Sequence, residues 1–153
     1  MVLEKLRKKF FASVEQALKS GWTADQLALS FCSGLYIAFS PFPGGHTLLM
    51  IAFKFLFKLN FPLLFLITSI NNPWTMIPFF SLDYSFGYWV THSLLGMSPT
   101  WTISLAKIFG HGEICLWSFF IGGNILGIVS ALVCYPFVRR FFFKLVNRYQ
   151  TSL

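Results

Sequence analysis

The chain reads as an all-α, polytopic integral membrane protein whose helices are broken by Pro, Gly and Asn, some of the pieces re-entrant. Three observations lead there. Charged residues are 11% of the 153 residues and hydrophobic ones 56%, whereas an ordinary globular domain carries roughly 25% charge. A strongly apolar stretch from Leu35 to Phe86 is interrupted twice by helix-breaking residues, at Ser40-Pro41-Phe42-Pro43-Gly44-Gly45 and at Asn71-Asn72-Pro73. The basic residues gather outside the apolar body, with Lys5, Arg7, Lys8, Lys9 and Lys19 before it and Arg139, Arg140, Lys144 and Arg148 after it. Basic flanks mark the cytoplasmic side of membrane segments. Both termini are therefore expected in the cytoplasm, with an even number of full crossings.

The net charge of +7 would suggest a nucleic-acid partner in a soluble protein. Placed at membrane flanks, it points to anionic lipid heads instead, and no nucleic acid is expected. Cys32, Cys115 and Cys134 are odd in number, far apart and inside apolar runs. They give no disulfide framework and no C-x-x-C pair, and read as small apolar fillers. No cleaved signal peptide is expected, because the apolar run starts only near Ala24 and the stretch before it is amphipathic.

One domain is expected at this length, in three parts: a basic amphipathic interfacial helix over 1–21, a membrane domain over 22–138 and a basic cytoplasmic tail over 139–153. From Leu3 to Leu18, apolar residues at Leu3, Leu6, Phe10, Val14, Ala17 and Leu18 keep helical spacing, which suits a helix lying in the membrane interface. Gly21 can end it. Thr23 and Gln26 form a capping box for the next helix, Ala24 to about Ser40, which at about 24 Å is short for a span of roughly 30 Å. Pro41 and Pro43 break it. His46 to Leu59 is a second short helix carrying Lys54 and Lys58 at i,i+4 spacing. Asn60-Phe61-Pro62 ends that helix, and Pro62 to Ile70 is too short to span alone. Asn72 followed by Pro73 is a helix start for Trp74 to about Gly96, with Pro78 as a kink and Asp83 as its acid. Ser98 to Gly112, with Trp101, Lys107 and His111, reads as an interfacial loop or short surface helix. Ile114 to Val138 is an uncharged span containing a G-x-x-x-G within Gly122 to Gly127. Such spacing lets helices approach closely, here more simply within the chain than between two copies.

Two helices that start inside the apolar stretch expose free N–H groups and the positive end of their dipoles. That geometry holds anionic groups in transporters with discontinuous helices. Gly44, Gly45, His46 and Thr47 at one start, and Asn71 and Asn72 at the other, are the candidate ligand-binding residues. Lys54 and Lys58 would complete a phosphate site, unless Asp83 neutralises one of them. The competing reading makes Pro41, Pro43, Pro73 and Pro78 purely structural breaks whose freed backbone groups are satisfied by neighbours. It also makes His46 a cap and the lysines snorkelling side chains. His46, His92 and His111 lack metal-ligand spacing, so no metal or cofactor is expected. Asp83 and His92 could pair, but no activated nucleophile is visible, and an enzyme is not expected.

Certain of these segments resemble a known family. Thr23-Ala24-Asp25-Gln26-Leu27-Ala28, Gly34 to Phe39 and Ser40 to Thr47 are similar to the opening motif of the prokaryotic membrane family called domain of unknown function 2062. Asn60, Asn72 to Pro78, Tyr84 and Gly87 resemble its second motif, and Gly122 to Gly127 with the basic tail resembles its end. The resemblance implies a bacterial membrane protein without an assigned activity. Relatives fused to glycosyltransferase-like domains imply lipid-linked sugar or envelope work. The expected function is thus binding or translocation of a phosphate-bearing lipid or lipid-linked envelope precursor, with anionic or polyprenyl-phosphate lipids as partners. The alternative is a membrane scaffold or accessory subunit serving a membrane enzyme.

Overall fold

The structure, a computed structural model, describes residues 2–42, 45–72, 74–98, 102–104 and 113–151. Trp101, Lys107 and His111 lie outside these, as do three of the candidate site and break residues, Pro43, Gly44 and Pro73. The fold is all-helical, and local sequence explains most helix ends. Helix α1, Val2–Lys19, stops where Gly21 takes a left-handed φ of 75°, a conformation that costs glycine little. Helix α2, Ala24–Phe39, opens on the expected capping box. The Gln26 amide donates to Thr23 Oγ1 at 3.3 Å, and the Thr23 amide donates to Gln26 Oε1 at 3.2 Å.

Helix α3 is His46–Phe57. Helix α4, Phe61–Thr68, starts on Asn60, whose Oδ1 accepts the Leu63 amide at 3.1 Å, with Pro62 in the first turn. Helix α5, Met76–Tyr88, continues into a π-helical turn, Trp89–Leu94. Asn72 does open this segment: its Oδ1 accepts the amides of Trp74 and Thr75 at 2.9 and 3.2 Å. The regular helix nevertheless begins at Met76, later than expected. Pro78 then falls in its first turn, where an amide would have no intrahelical partner anyway, so no interior kink is needed there.

Two short strands follow. β1, Thr102–Ser104, pairs antiparallel with β2, Glu113–Cys115, so part of the expected loop or surface helix is a strand. Thr102 and Ile103 are β-branched, which suits it. Helix α6, Leu116–Thr151, runs 36 residues and carries Pro136 in its interior. The basic tail expected as a separate flank is therefore the last third of one helix. Arg, Lys and Leu are good helix formers, and Phe142 is fully buried there, its ring 6.4 Å from that of Phe10.

Helix α2 lies at the centre. One core cluster joins Val14 and Ala17 of α1, Leu27 and Ala28 of α2, Leu63 and Ile67 of α4, and Phe142 of α6. A second joins Ile37, Met50, Leu59 and Leu64. Helices α2 and α6 run antiparallel: Asp25 pairs with Arg139, and the Tyr36 hydroxyl donates to Asn124 Oδ1 at 2.8 Å. Helix α4 runs parallel to α2, with the Asn60 amide on Ser30 Oγ at 2.7 Å and Asn71 Nδ2 on the Ala38 carbonyl at 2.6 Å. The glycines of α6 are spent inside the chain, in line with the simpler reading. A Cβ on Gly123 would sit 2.6 Å from the Phe39 carbonyl oxygen, and one on Gly127 would meet Tyr36. On the neighbouring face, a Cβ on Gly122 would collide with the Asp83 carbonyl and the Gly87 amide nitrogen.

Candidate functional site

The two helix breaks meet at the C-terminal end of α2, and they meet as caps. His46 Nε2 donates to the Ser40 carbonyl at 3.0 Å, and Asn71 donates to the Ala38 carbonyl. Both bonds satisfy carbonyls that α2 leaves unpaired at its last turn. Asn72 is occupied as well, since its Oδ1 closes its own turn and its amide donates to Thr75 Oγ1 at 2.9 Å. The turns therefore lie together, but the His46, Asn71 and Asn72 side chains are spent on backbone. Gly45, the N-cap of α3, makes no side-chain cap, and Thr47 is exposed.

Lys54 and Lys58 are not brought to these turns. Lys58 is the C-cap of α3, about 18 Å along the helix from His46 at 1.5 Å per residue. Both lysines instead line a groove of about 370 Å³ with Ser13, Gln16, Ser20 and Trp22 of the α1 region, together with Asn60 and Phe61. The Lys54 ammonium stands 5.3 Å from the Phe61 ring centroid, close enough for cation–π attraction. Lys58 holds φ 50° and ψ 53°, and among the described residues it is the one non-glycine with positive φ. Glycine or asparagine normally fills that C-terminal position; a lysine there costs roughly 1–2 kcal/mol. Strain of this kind, once observed, is a pointer to function. Lys19 adds little to the groove, because it is paired with Glu15 at 2.7 Å. That bond holds the Glu15 carboxyl below its ordinary range and raises the Lys19 ammonium above its own.

Sequence reasoning does not single out Ser13, Gln16 and Ser20. Their spacing of three and four residues on the polar face of α1 is the available signal. A second, apolar cleft of about 440 Å³ runs between α2, α3 and α6, lined by Leu29, Tyr36, Phe53, Ile128, Leu132 and Tyr135 among others. Phe53 borders this cleft and Lys54 borders the polar groove, so both open along α3.

Asp83 neutralises neither lysine and does not pair with His92. It is fully buried, and neither carboxylate oxygen has a hydrogen-bond partner among the described residues. His92 Nδ1 lies 2.8 Å from Thr91 Oγ1, which is also 2.8 Å from Ser118 Oγ, and the imidazole stacks on Tyr88. Among the described residues no group of three or more His, Cys, Asp or Glu side chains is placed to hold a metal. No curated protein and no solved structure matches this chain. The family model that does match covers residues 8–151, nearly the whole helical body, and its family is the one described as "uncharacterized protein conserved in bacteria (DUF2062)"; the chain belongs to that family.

Proposed function

We propose that the protein is a polytopic protein of the bacterial cytoplasmic membrane, with both termini cytoplasmic, which binds the phosphate of an anionic or polyprenyl-phosphate lipid in the Lys54–Lys58 groove. The single observation carrying the site is Lys58, a lysine held at a strained left-handed position beside a second lysine, two serine hydroxyls and a glutamine. Ammonium and hydroxyl donors converging on one groove suit a phosphate, which offers only acceptors.

The membrane placement rests on length and surface. Among the described residues, α6 is the helix long and apolar enough to cross a bilayer; Leu116 to Val138 covers about 33 Å at 1.5 Å per residue, against a hydrocarbon core of about 30 Å. Leu48, Phe55, Leu56, Leu132 and Phe137 are each about two-thirds or more exposed, which a bilayer tolerates and water does not. Helix α2 ends level with Gly123, short of a full crossing, so α2 and α3 make a re-entrant hairpin. Helices α4 and α5 then cross as one broken span, and α6 returns. The groove lies beside α1, at the basic end where anionic lipid heads of the cytoplasmic leaflet sit. The apolar cleft beside Phe53 gives room for a lipid chain.

The test is retention of anionic lipid by the full chain, read by native mass spectrometry from mixed phosphatidylglycerol and phosphatidylethanolamine membranes. Lys58→Gly relieves the strained backbone while removing the charge, so it should leave the fold intact or firmer and still lower retention about ten-fold. A charge-assisted hydrogen bond is worth about 1.5–3 kcal/mol, and about 1.4 kcal/mol is one factor of ten. Lys54→Ala should act alike, whereas Asn72→Ala should keep the parent's load. If Lys58→Gly and Lys54→Ala both retain lipid as the parent does, the groove is not a lipid site. The scaffold or accessory-subunit reading then stands in its place.

A further inference from the structure

We propose that Asp83 and the Ser40 hydroxyl form a buried binding site for a small monovalent cation, a proton or a sodium ion, where α5 and the end of α2 pack against the glycine pair of α6. The site is distinct from the lysine groove and does not depend on it.

Four side-chain polar atoms among the described residues are buried with no hydrogen-bond partner, and three of them are Ser40 Oγ and the two oxygens of Asp83. Both residues are 0% exposed. They flank the same step of α6: Gly122 abuts the Asp83 backbone, while Gly123 abuts Phe39 and Pro41 on either side of Ser40. The absence of side chains on two adjacent residues lets both elements close onto α6 at one level. An ionised carboxylate in such a place costs several kcal/mol or more unless something neutralises it. Ionisable groups inside membrane helices are therefore retained for proton or ion handling.

No protein group among the described residues does the neutralising. From α2, Asp25 is tied to Arg139 at the basic end, and the Tyr36 hydroxyl is spent on Asn124. Cys32 and Cys134 lie further toward that same end of α2 and α6. From the π turn, His92 bonds to Thr91 and stacks on Tyr88 rather than turning to Asp83. Tyr84 and Tyr88, on the same helix as Asp83, lie ring to ring at a tilt, their centroids 5.9 Å apart. Arg139, the basic residue of α6 that pairs with α2, stands more than four turns from Gly122, and the other basic residues of α6 lie further still along the helix. What remains at this step of α6 is oxygen: the Asp83 carboxylate and the Ser40 hydroxyl, both buried without a partner among the described residues, beside the end of a helix that stops inside the protein. Carboxylate and hydroxyl oxygens are the ligand chemistry of a proton or a sodium ion, and the dipole of α2 ends there with its negative pole.

The experiment uses the full chain in phospholipid vesicles and a hydrophobic carbodiimide, which adds covalently to a protonated carboxyl in apolar surroundings. Labelling is read by intact mass and peptide mapping across pH, with sodium or choline as the chloride salt. A proton site gives labelling of Asp83 that falls steeply as pH rises and is the same in both salts. A sodium site gives labelling that sodium suppresses several-fold at fixed pH and choline does not. Ser40→Ala should move the midpoint of either response, whereas Ser69→Ala, whose hydroxyl bonds the Phe65 carbonyl, should not. Absent labelling of Asp83 in the folded parent, labelling indifferent to both pH and sodium, or a midpoint unmoved by Ser40→Ala overturns the proposed site.

Discussion

Single atoms decide how closely this protein closes. At Gly122 and Gly87 an added methyl would run into backbone, the Asp83 carbonyl in one case and the Ser118 carbonyl in the other. Backbone on two packed helices cannot step aside as a side chain does. Gly122→Ala and Gly87→Ala should each cost at least about 1–3 kcal/mol, read as a lowered unfolding temperature in detergent. Gly45→Ala comes closest to the Phe42 side chain, at 3.1 Å, with the Phe42 carbonyl oxygen at an ordinary 3.5 Å, and should cost much less. The paired asparagines differ for a related reason. Asn71→Ala strands the Ala38 carbonyl inside the protein, a loss of about 1–3 kcal/mol. Asn72→Ala removes a cap from an exposed turn, worth about 0.5–2 kcal/mol. Asn71→Ala should therefore be the more destabilising, by the same unfolding assay.

Helix starts follow rules that act within four residues, so the amino-acid pattern alone makes them legible. Thr23 with Gln26, Asn60 with Pro62, and Gly21 each end or begin a helix where the local pattern puts it. Thr23→Ala should loosen the first turn of α2 and cost about 0.5–2 kcal/mol, seen as faster amide exchange at Gln26 and Leu27. What the pattern does not carry lies at longer range. His46 and Asn71 suit anion ligation and capping equally well by residue type; the choice depends on α2 ending between them, across separations of 6 and 33 residues. The lysines share a helix with one of the turns, which groups them with it by sequence, yet 12 residues of α3 carry Lys58 to the other end, beside α1. The extent of α6 is hidden for a different reason. The run of basic residues from Arg139 looks like a stop, but Arg and Lys are good helix formers and Phe142 has a core to enter.

The molecule has two unlike ends, and its contacts order every helix between them. Helix α1, the Asp25–Arg139 pair and the lysine groove share the basic end. The ion pair is solvent-exposed and adds little stability; its use here is to mark the level from which depth is counted. From Arg139, Gly123 lies about 24 Å along α6 and Leu116 about 34 Å, at 1.5 Å per residue. The end of α2 belongs at the first depth and the β-hairpin at the second. Helix α5 runs antiparallel to α6, with Asp83 at Gly122 and Gly87 at Ser118, so its π turn is carried toward the β-hairpin end. Single cysteines placed on the chain in intact bacterial cells should report this order with a membrane-impermeant thiol reagent, after Cys32, Cys115 and Cys134 are changed to Ser or Ala. Cysteines at Ser20 and Gln150 should stay unlabelled until the cells are opened, whereas one at Ser98 should label from outside. Labelling of Ser20 or Gln150 from outside reverses the orientation. If Ser98 reacts only after opening, α4 and α5 do not cross, and the membrane holds α6 by some arrangement other than the paired spans proposed here.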